Sequence, residues 1–304
     1  VKGKSLMTGG PAFVPAQMVF WNYLFCQGEP FIHQPITNGA GGMFTLTEAI
    51  LAGLYELIQR DAFFVHWLNK IAPPRVDPAS LADPRFHDLL KNLKRYSIQA
   101  EVLDITSDFG VPAFVTVILD EAANGRAISL GGGCGPDPES AIMRSLTEAI
   151  GVRHWLRTYG AKLYSLPDPY EPFSVPLGQV QRLSLWGNPS MRGSFDFFLR
   201  GPRVSLKERH PAPKKAVDPE KELEGLIRLF RGKGERYEIF YYEAEHPVLR
   251  ELGYHSVSVS VPALIPLYLN ETCAPLGAER IRAACQALGY TPAKEINPLP
   301  HPFP

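Results

Sequence analysis

The sequence contains no apolar run approaching the roughly 18 residues that a membrane-spanning helix needs, so no membrane partner is expected. Nor does either charge predominate. Lys and Arg total 31, as do Asp and Glu, and bulk electrostatics therefore makes no case for nucleic acid or an anionic surface. Its four cysteines, Cys26, Cys134, Cys273 and Cys285, show no C-x-x-C spacing, which excludes the common zinc and redox motifs. A chain of 304 residues needs no disulfide framework, so reduced thiols in a cytoplasmic protein are the expectation. The two common nucleotide fingerprints, G-x-x-x-x-G-K-[ST] and G-x-G-x-x-G, are both missing. There is no internal repeat of fixed period and no recognisable signal peptide. The sequence opens on Val1 in mid-course, as the C-terminal part of something longer would.

The composition, 45% hydrophobic and 20% charged, can build a substantial core. The stretch from Thr37 to Asp61 is the most structured in pattern. A glycine-rich loop, Asn38-Gly-Ala-Gly-Gly42, runs into a helix whose Thr45 and Glu48 fit the reciprocal capping pattern T-x-x-E. Leu46, Ile50, Leu54, Leu57, Ile58, Phe64, Val65 and Leu68 gather on one face as a core stripe. Glu48, Ala52, Glu56, Gln59 and Arg60 lie roughly opposite. Their plainest reading is a solvated face with Glu56 and Arg60 as an i,i+4 ion pair.

Around this helix the pattern predicts one or two strands within 1–36, drawn from Phe13-Val14 and Met18 to Phe25. Pro73-Pro74 stops the helix. A second helix is expected at Pro84 to Tyr96, then strands at Ile98–Ile105, Val111–Leu119 and Ala127–Leu130. A third helix, with Asp137 as N-cap and Pro138 at its first position, runs to about Tyr159. Residues 161–220 read as an irregular Pro/Gly-rich insertion, with a mobile basic loop at Lys207–Lys215. A helix at Lys221–Gly232, strands at Tyr237–Tyr242 and His255–Val261, a helix at Gly277–Leu288 and a proline-rich tail at 291–304 follow. The mixture argues for one α/β (α+β) unit with a central sheet.

The helix after Gly131-Gly-Gly-Cys-Gly135 repeats the arrangement at Thr37–Asp61. Arg144, Ser145, Glu148, Val152 and Trp155 share a face, and Arg144 with Glu148 reads as a second i,i+4 pair. Two helices that each follow a glycine-rich turn and each carry a glutamate suggest more. Backbone N–H groups at such turns attract phosphate oxygens, and carboxylates further along could hold Mg²⁺. Three other residues have plain readings: Cys134 as a small buried residue, Asp61 as a buried hydrogen-bond acceptor at a neighbouring helix end, and His301 as structural.

Three blocks resemble the YcaO family. Glu48-Ala-Ile-Leu with Glu56-Leu-Ile-Gln-Arg60-Asp-Ala62 resembles its E-A-I-L and E-L-I-E-R-D-A. Gly131 to Ala149 resembles G-x-G-x-x-x-D-P-x-x-A-x-x-R-A-L-T-E-A. Val261-Pro-Ala-Leu-Ile-Pro-Leu267 and the tail Pro298-Leu-Pro-His-Pro-Phe-Pro304 resemble the azoline-forming branch. The resemblance implies a YcaO-like fold over 1–304, truncated at its N-terminus, with mixed central sheets and packed helices in a single globular unit. It also implies an ATP- and Mg²⁺-dependent cyclodehydratase that makes thiazolines or oxazolines from Cys, Ser or Thr of a ribosomal precursor peptide, as in the biosynthesis of thiazole/oxazole-modified microcins. Carried over, Glu56 and Glu148 are metal ligands, and Asn38, Glu56, Gln59, Arg60 and Glu148 bind the nucleotide. Arg60 and Pro304, the latter at the end of a tail reaching the active site, serve catalysis. A ThiF-like or leader-recognition partner and a homodimer are implied as well.

Several positions depart from the family pattern. Gln59 stands where a glutamate is usual, which removes one negative charge beside Mg²⁺ but leaves a carbonyl oxygen. Ala52 and Ala141 stand where some members have serine, and Gly151 or Val152 where a glutamine is expected. The N-terminal part of the family's nucleotide site is expected to lie outside this chain. Two alternatives stay open: a degenerate, non-catalytic peptide-binding scaffold, and an enzyme forming thioamide or amidine.

Overall fold

A computed structural model describes residues 1–120, 128–160, 166–175, 177–211 and 218–304. Along the chain, strands β1 (Lys2–Ser5), β2 (Pro11–Phe13) and β3 (Ala40–Met43) lead to helix α1 (Leu46–Leu68). Then come β4 (Arg75–Val76), α2 (Pro84–Arg95), β5 (Ile98–Asp104), β6 (Ala113–Asp120), β7 (Ile128–Cys134) and α3 (Pro138–Trp155). α4 (Gln179–Trp186), β8 (Arg203–Val204), α5 (Pro219–Lys233), β9 (Phe240–Glu243), β10 (His255–Ser260) and α6 (Glu279–Ala287) complete it. Ala127, expected in a strand, and Lys214 and Lys215 of the expected basic loop lie outside the described residues, as does part of the 161–220 segment. The fold is mixed α/β, as expected.

Contacts cluster into two compact units, Val1–Asp61 with Lys214–Leu269, and Ala62–Pro213 with Asn270–Pro304. The first unit holds a five-stranded antiparallel sheet ordered β2-β1-β9-β10-β3. Glycine explains how β3 meets α1. A Cβ on Gly41 would strike the Ala49 carbonyl, and one on Gly53 the Gly39 carbonyl, so only bare backbone allows this strand to lie on this helix. The glycine-rich segment expected as a loop is therefore largely strand, with Ala40 to Met43 in register against Ser258 to His255.

The second unit carries the sheet β7-β6-β5-β4-β8, in which β8 from the 161–220 segment pairs parallel with β4. α2 and α3 cover one face through Phe86, Phe114, Ile118, Ile142 and Leu146. The approach of α3 to β7 repeats the glycine device: Cβ atoms on Gly131 and Gly133 would strike backbone of Ser145, Ala149 and Ala141. Asp137 caps α3 through the Ser140 N–H at 3.3 Å, as its sequence position implies.

Met18 to Phe25, expected as a strand, is instead a loop folded around buried Gln17. That side chain donates to Glu29 at 2.9 Å and to the Pro30 carbonyl at 2.8 Å, and accepts from Ile32 N–H at 2.9 Å. An internal amide thus supplies the backbone partners that a strand ladder would have given. Tyr237 lies in a 3₁₀ turn after Gly234, whose φ of 110° breaks the expected strand start. The tail is built into the second unit. Trp67 Nε1–H donates to the Leu299 carbonyl at 3.3 Å, Trp186 Nε1–H to Pro300 at 3.0 Å and Arg182 to Phe303 at 3.2 Å.

Candidate functional site

α1 begins with half of the expected reciprocal cap. Glu48 N–H donates to Thr45 Oγ1 at 3.2 Å, but the Glu48 carboxylate accepts from the Thr45 hydroxyl at 2.7 Å rather than from its backbone. The face expected to be solvated is so only in part: Glu48, Ala52 and Glu56 are partly exposed, but its C-terminal end is buried. Gln59 is 5% exposed and Arg60 8%, because α1 is enclosed on all sides from Leu57 to Asn69. The Glu56–Arg60 ion pair does form, at 3.2 Å. A helix polar on one face and buried on that face must satisfy its polar atoms internally or with a ligand.

Glu56 is held from two sides. Its Oε2 accepts the Gly39 N–H at 3.0 Å and its Oε1 accepts from Arg60. Gln59, one turn away, keeps Nε2 buried without a hydrogen-bond partner, and so does Oδ1 of Asn38, a residue 8% exposed. Each orphaned group carries a desolvation cost of about 1–3 kcal/mol. The structure thus brings Asn38, Glu56, Gln59 and Arg60 together in the first unit.

Glu148, in the second unit, has the same local setting. It accepts the backbone N–H of Gly132 on β7, as Glu56 accepts that of Gly39 just before β3. These glycine N–H groups are spoken for by carboxylates, which corrects the expectation that they stand open to phosphate. Sequence reading saw the glycines and the glutamates but not that they pair; the equal order of glycine-rich strand and helix glutamate was the available signal. The expected Arg144–Glu148 pair is replaced. Arg144 turns to the Cys134 carbonyl at 2.6 Å, satisfying the end of β7.

The plain readings of three residues fit their surroundings. Cys134 is buried, and burial pushes its thiol well above the ordinary range while Arg144 acts the other way. Asp61 is fully buried and accepts the Ile265 N–H at 3.0 Å, a turn rather than a helix end. His301 packs edge-on to Phe64, ring centroids 4.9 Å apart. Pro304 is half-buried and follows fully buried Phe303 in the second unit. No signal in the sequence marked Arg182 and Glu271, a buried pair 3.8 Å apart beside the tail.

Among the described residues no cluster of three or more His, Cys, Asp or Glu forms a metal cage. Mg²⁺ typically uses one or two carboxylates and takes its other ligands from phosphate and water. Glu56 and Glu148 are carboxylates of that kind, and the orphaned amides of Asn38 and Gln59 suit a polar ligand. Taken unit by unit, these donor types suit Mg²⁺ and a phosphate ligand. No helix among the described residues is long and apolar enough to cross a membrane.

Comparison with known proteins adds a family model described as YcaO cyclodehydratase, ATP- and Mg²⁺-binding, which matches residues 1–265. An uncharacterized protein in the tfuA 3′ region of Rhizobium leguminosarum bv. trifolii is 34% identical over 50% of this chain and 38% of its own. An uncharacterized protein of Methanothermobacter thermautotrophicus is 31% identical over 46% and 37%. Among solved structures, the heterocyclase TruD is 25% identical with a TM-score of 0.73, matching 99% of this chain and 39% of its own. A heterocyclase in complex with substrate and cofactor is 24% identical with a TM-score of 0.82, over 99% and 38%. A YcaO from Methanopyrus kandleri bound with AMPPCP and Mg²⁺ is 22% identical with a TM-score of 0.66, over 87% and 63%. The match spans less than two-fifths of the length of the curated relatives.

Proposed function

Because the chain belongs to the YcaO family, we propose that it carries the catalytic residues of an ATP-dependent cyclodehydratase that converts Cys, Ser or Thr of a ribosomal precursor peptide to thiazolines or oxazolines. The observation that carries the reading is the matched treatment of Glu56 and Glu148, each fixed by a glycine N–H of an adjoining strand segment. Carboxylates held this way lose little freedom when they take up a metal.

The substrate's thiol or hydroxyl would add to the preceding amide carbonyl and give up its proton; the former carbonyl oxygen would accept the γ-phosphoryl group of ATP, with ADP released, and leave as phosphate while the amide nitrogen loses its proton to form the C=N bond. The protein's part is positioning and charge stabilisation. Glu56, in the first unit, and Glu148, in the second, would each offer a carboxylate to Mg²⁺. Asn38 and Gln59 bind the nucleotide, and Arg60, fixed by Glu56, sets the charge around the phosphates. Pro304, delivered by a tail anchored through Trp67, Trp186 and Arg182, positions catalytic groups. A precursor peptide, a ThiF-like or leader-recognition protein and a second copy of the chain are the proposed partners, and the cytoplasm the proposed location.

The test supplies a Cys- and Ser-containing precursor, its partner protein, ATP and Mg²⁺, and follows peptide mass. Loss of one water per ring is expected. An oxygen-for-sulfur exchange would move the assignment to thioamide formation. Unchanged mass together with tight Mg²⁺–nucleotide binding would argue for a non-catalytic subunit.

A further inference from the structure

We propose that Glu271 is a positioning residue for ring formation: it steadies the buried guanidinium of Arg182, and Arg182 in turn sets the plane in which Pro304 lies. The assignment rests on the role given to Pro304 above and deepens it by naming what aims that residue. Glu271, Arg182 and the tail all belong to the second unit.

Arg182 is fully buried on α4 and donates to the Phe303 carbonyl at 3.2 Å. That carbonyl belongs to the same planar peptide group as the nitrogen of Pro304. The proline ring contains this nitrogen and locks φ at about −65°, so one hydrogen bond to the Phe303 carbonyl orients the ring itself. The bonds earlier in the tail do less. Trp67 holds the Leu299 carbonyl and Trp186 that of Pro300, each through a neutral indole N–H. Neutral donors therefore suffice to anchor the tail. At its last peptide the donor is instead a buried charge, which is costly to desolvate for anchoring alone.

A guanidinium is a rigid planar fork, so holding it at two points fixes the direction of its N–H groups. The first point is the Phe303 carbonyl and the second is Glu271. Oε1 of Glu271 lies 3.8 Å from Nη1 of Arg182 and makes no hydrogen bond. Arg182 is the charge that offsets the burial of this carboxylate. Packing explains such a residue poorly, because an uncharged side chain of similar volume would fill the place at less cost. Bracing Arg182 explains both its charge and its location.

Glu271→Gln keeps the shape of the side chain and removes its charge, while Pro304→Ala removes the ring that is aimed. Both variants, their double and wild type are assayed for ring formation on a Cys-containing precursor with its partner protein, ATP and Mg²⁺. Mg²⁺–AMPPCP affinity and melting temperature are measured alongside. Glu271→Gln should lower kcat about tenfold, with KM and nucleotide affinity as in wild type and a melting temperature no lower. In the Pro304→Ala background the same substitution should have no further effect on kcat, because the group that it aims is gone. Three results would each overturn the proposal and leave the functional reading standing: a Glu271→Gln kcat within about twofold of wild type, a loss that falls equally on nucleotide affinity, or a loss that persists undiminished in the double variant. A wild-type protein that forms no ring overturns the functional reading and this assignment with it.

Discussion

Buried polar residues in this chain divide into those fully engaged by the protein and those held in tension with their surroundings. Asp104 belongs to the first kind. Burial alone would raise its carboxyl, yet the hydrogen bond and charge of His210, with Thr106, bring it down to about 2. Glu271 belongs to the second. Burial pushes its carboxyl up from 4.5 to about 7, and Arg182, 3.8 Å away, offsets only part of that. A raised folded-state value for an acid means that the unfolded chain releases the proton first as pH rises. Stability is therefore lost between about pH 4.5 and pH 7, by on the order of 3 kcal/mol, and stays lower above that window. His33 and His66 are lowered by burial, which acts on stability with the opposite sign, so the informative quantity is a difference. Denaturant midpoints of wild type and Glu271→Gln measured across the window should diverge progressively in favour of the variant as pH rises. Parallel curves would show that Glu271 stays ionised in the folded protein.

At the scale of elements, two glycine-bearing strand segments are packed directly on two helices, and this contact fixes where Glu56 and Glu148 stand. Gly133→Ala would drive a methyl group into the Ala141 carbonyl of α3. Neither a strand nor a helix backbone can yield cheaply, so a loss of about 1–3 kcal/mol or more is expected. Gly225→Ala on α5 is the internal contrast. Nothing lies within 4 Å of the added carbon, and the residue sits in a helix interior, so a gain of about 0.5–1 kcal/mol is expected. Chemical denaturation of both variants checks the pair. Equal effects would mean that the strand-to-helix spacing is loose and that the glutamates are not fixed by it.

For the molecule as a whole, local patterns were legible and long-range enclosure was not. α2, α3 and the cap Asp137 follow from proline and aspartate chemistry that acts within a few residues. The Glu56–Arg60 pair was legible for the same reason. The burial of Gln59 and Arg60 was not, because periodicity reports which residues share a face, never what covers it. Gln17 and the Glu29 loop escaped because one buried amide replaced a whole strand ladder. Family blocks singled out Glu56 and Glu148, but their glycine partners, Gly39 and Gly132, emerge only from the fold. The tail shows the same limit most sharply. Its prolines announce an extended segment, while its partners Trp67, Trp186 and Arg182 lie more than a hundred residues earlier. Two demands meet there. Phe303 is fully buried and edge-on to Phe63 at 5.0 Å, so Phe303→Ala should cost about 3–5 kcal/mol and shift tryptophan emission as Trp67 and Trp186 lose their enclosure. Pro304 is only half-buried, so Pro304→Ala should change stability by no more than about 0.5 kcal/mol. If the tail both anchors and positions, Pro304→Ala should slow ring formation while leaving the melting temperature and Mg²⁺–AMPPCP affinity as in wild type. Full activity in Pro304→Ala would confine the tail to packing.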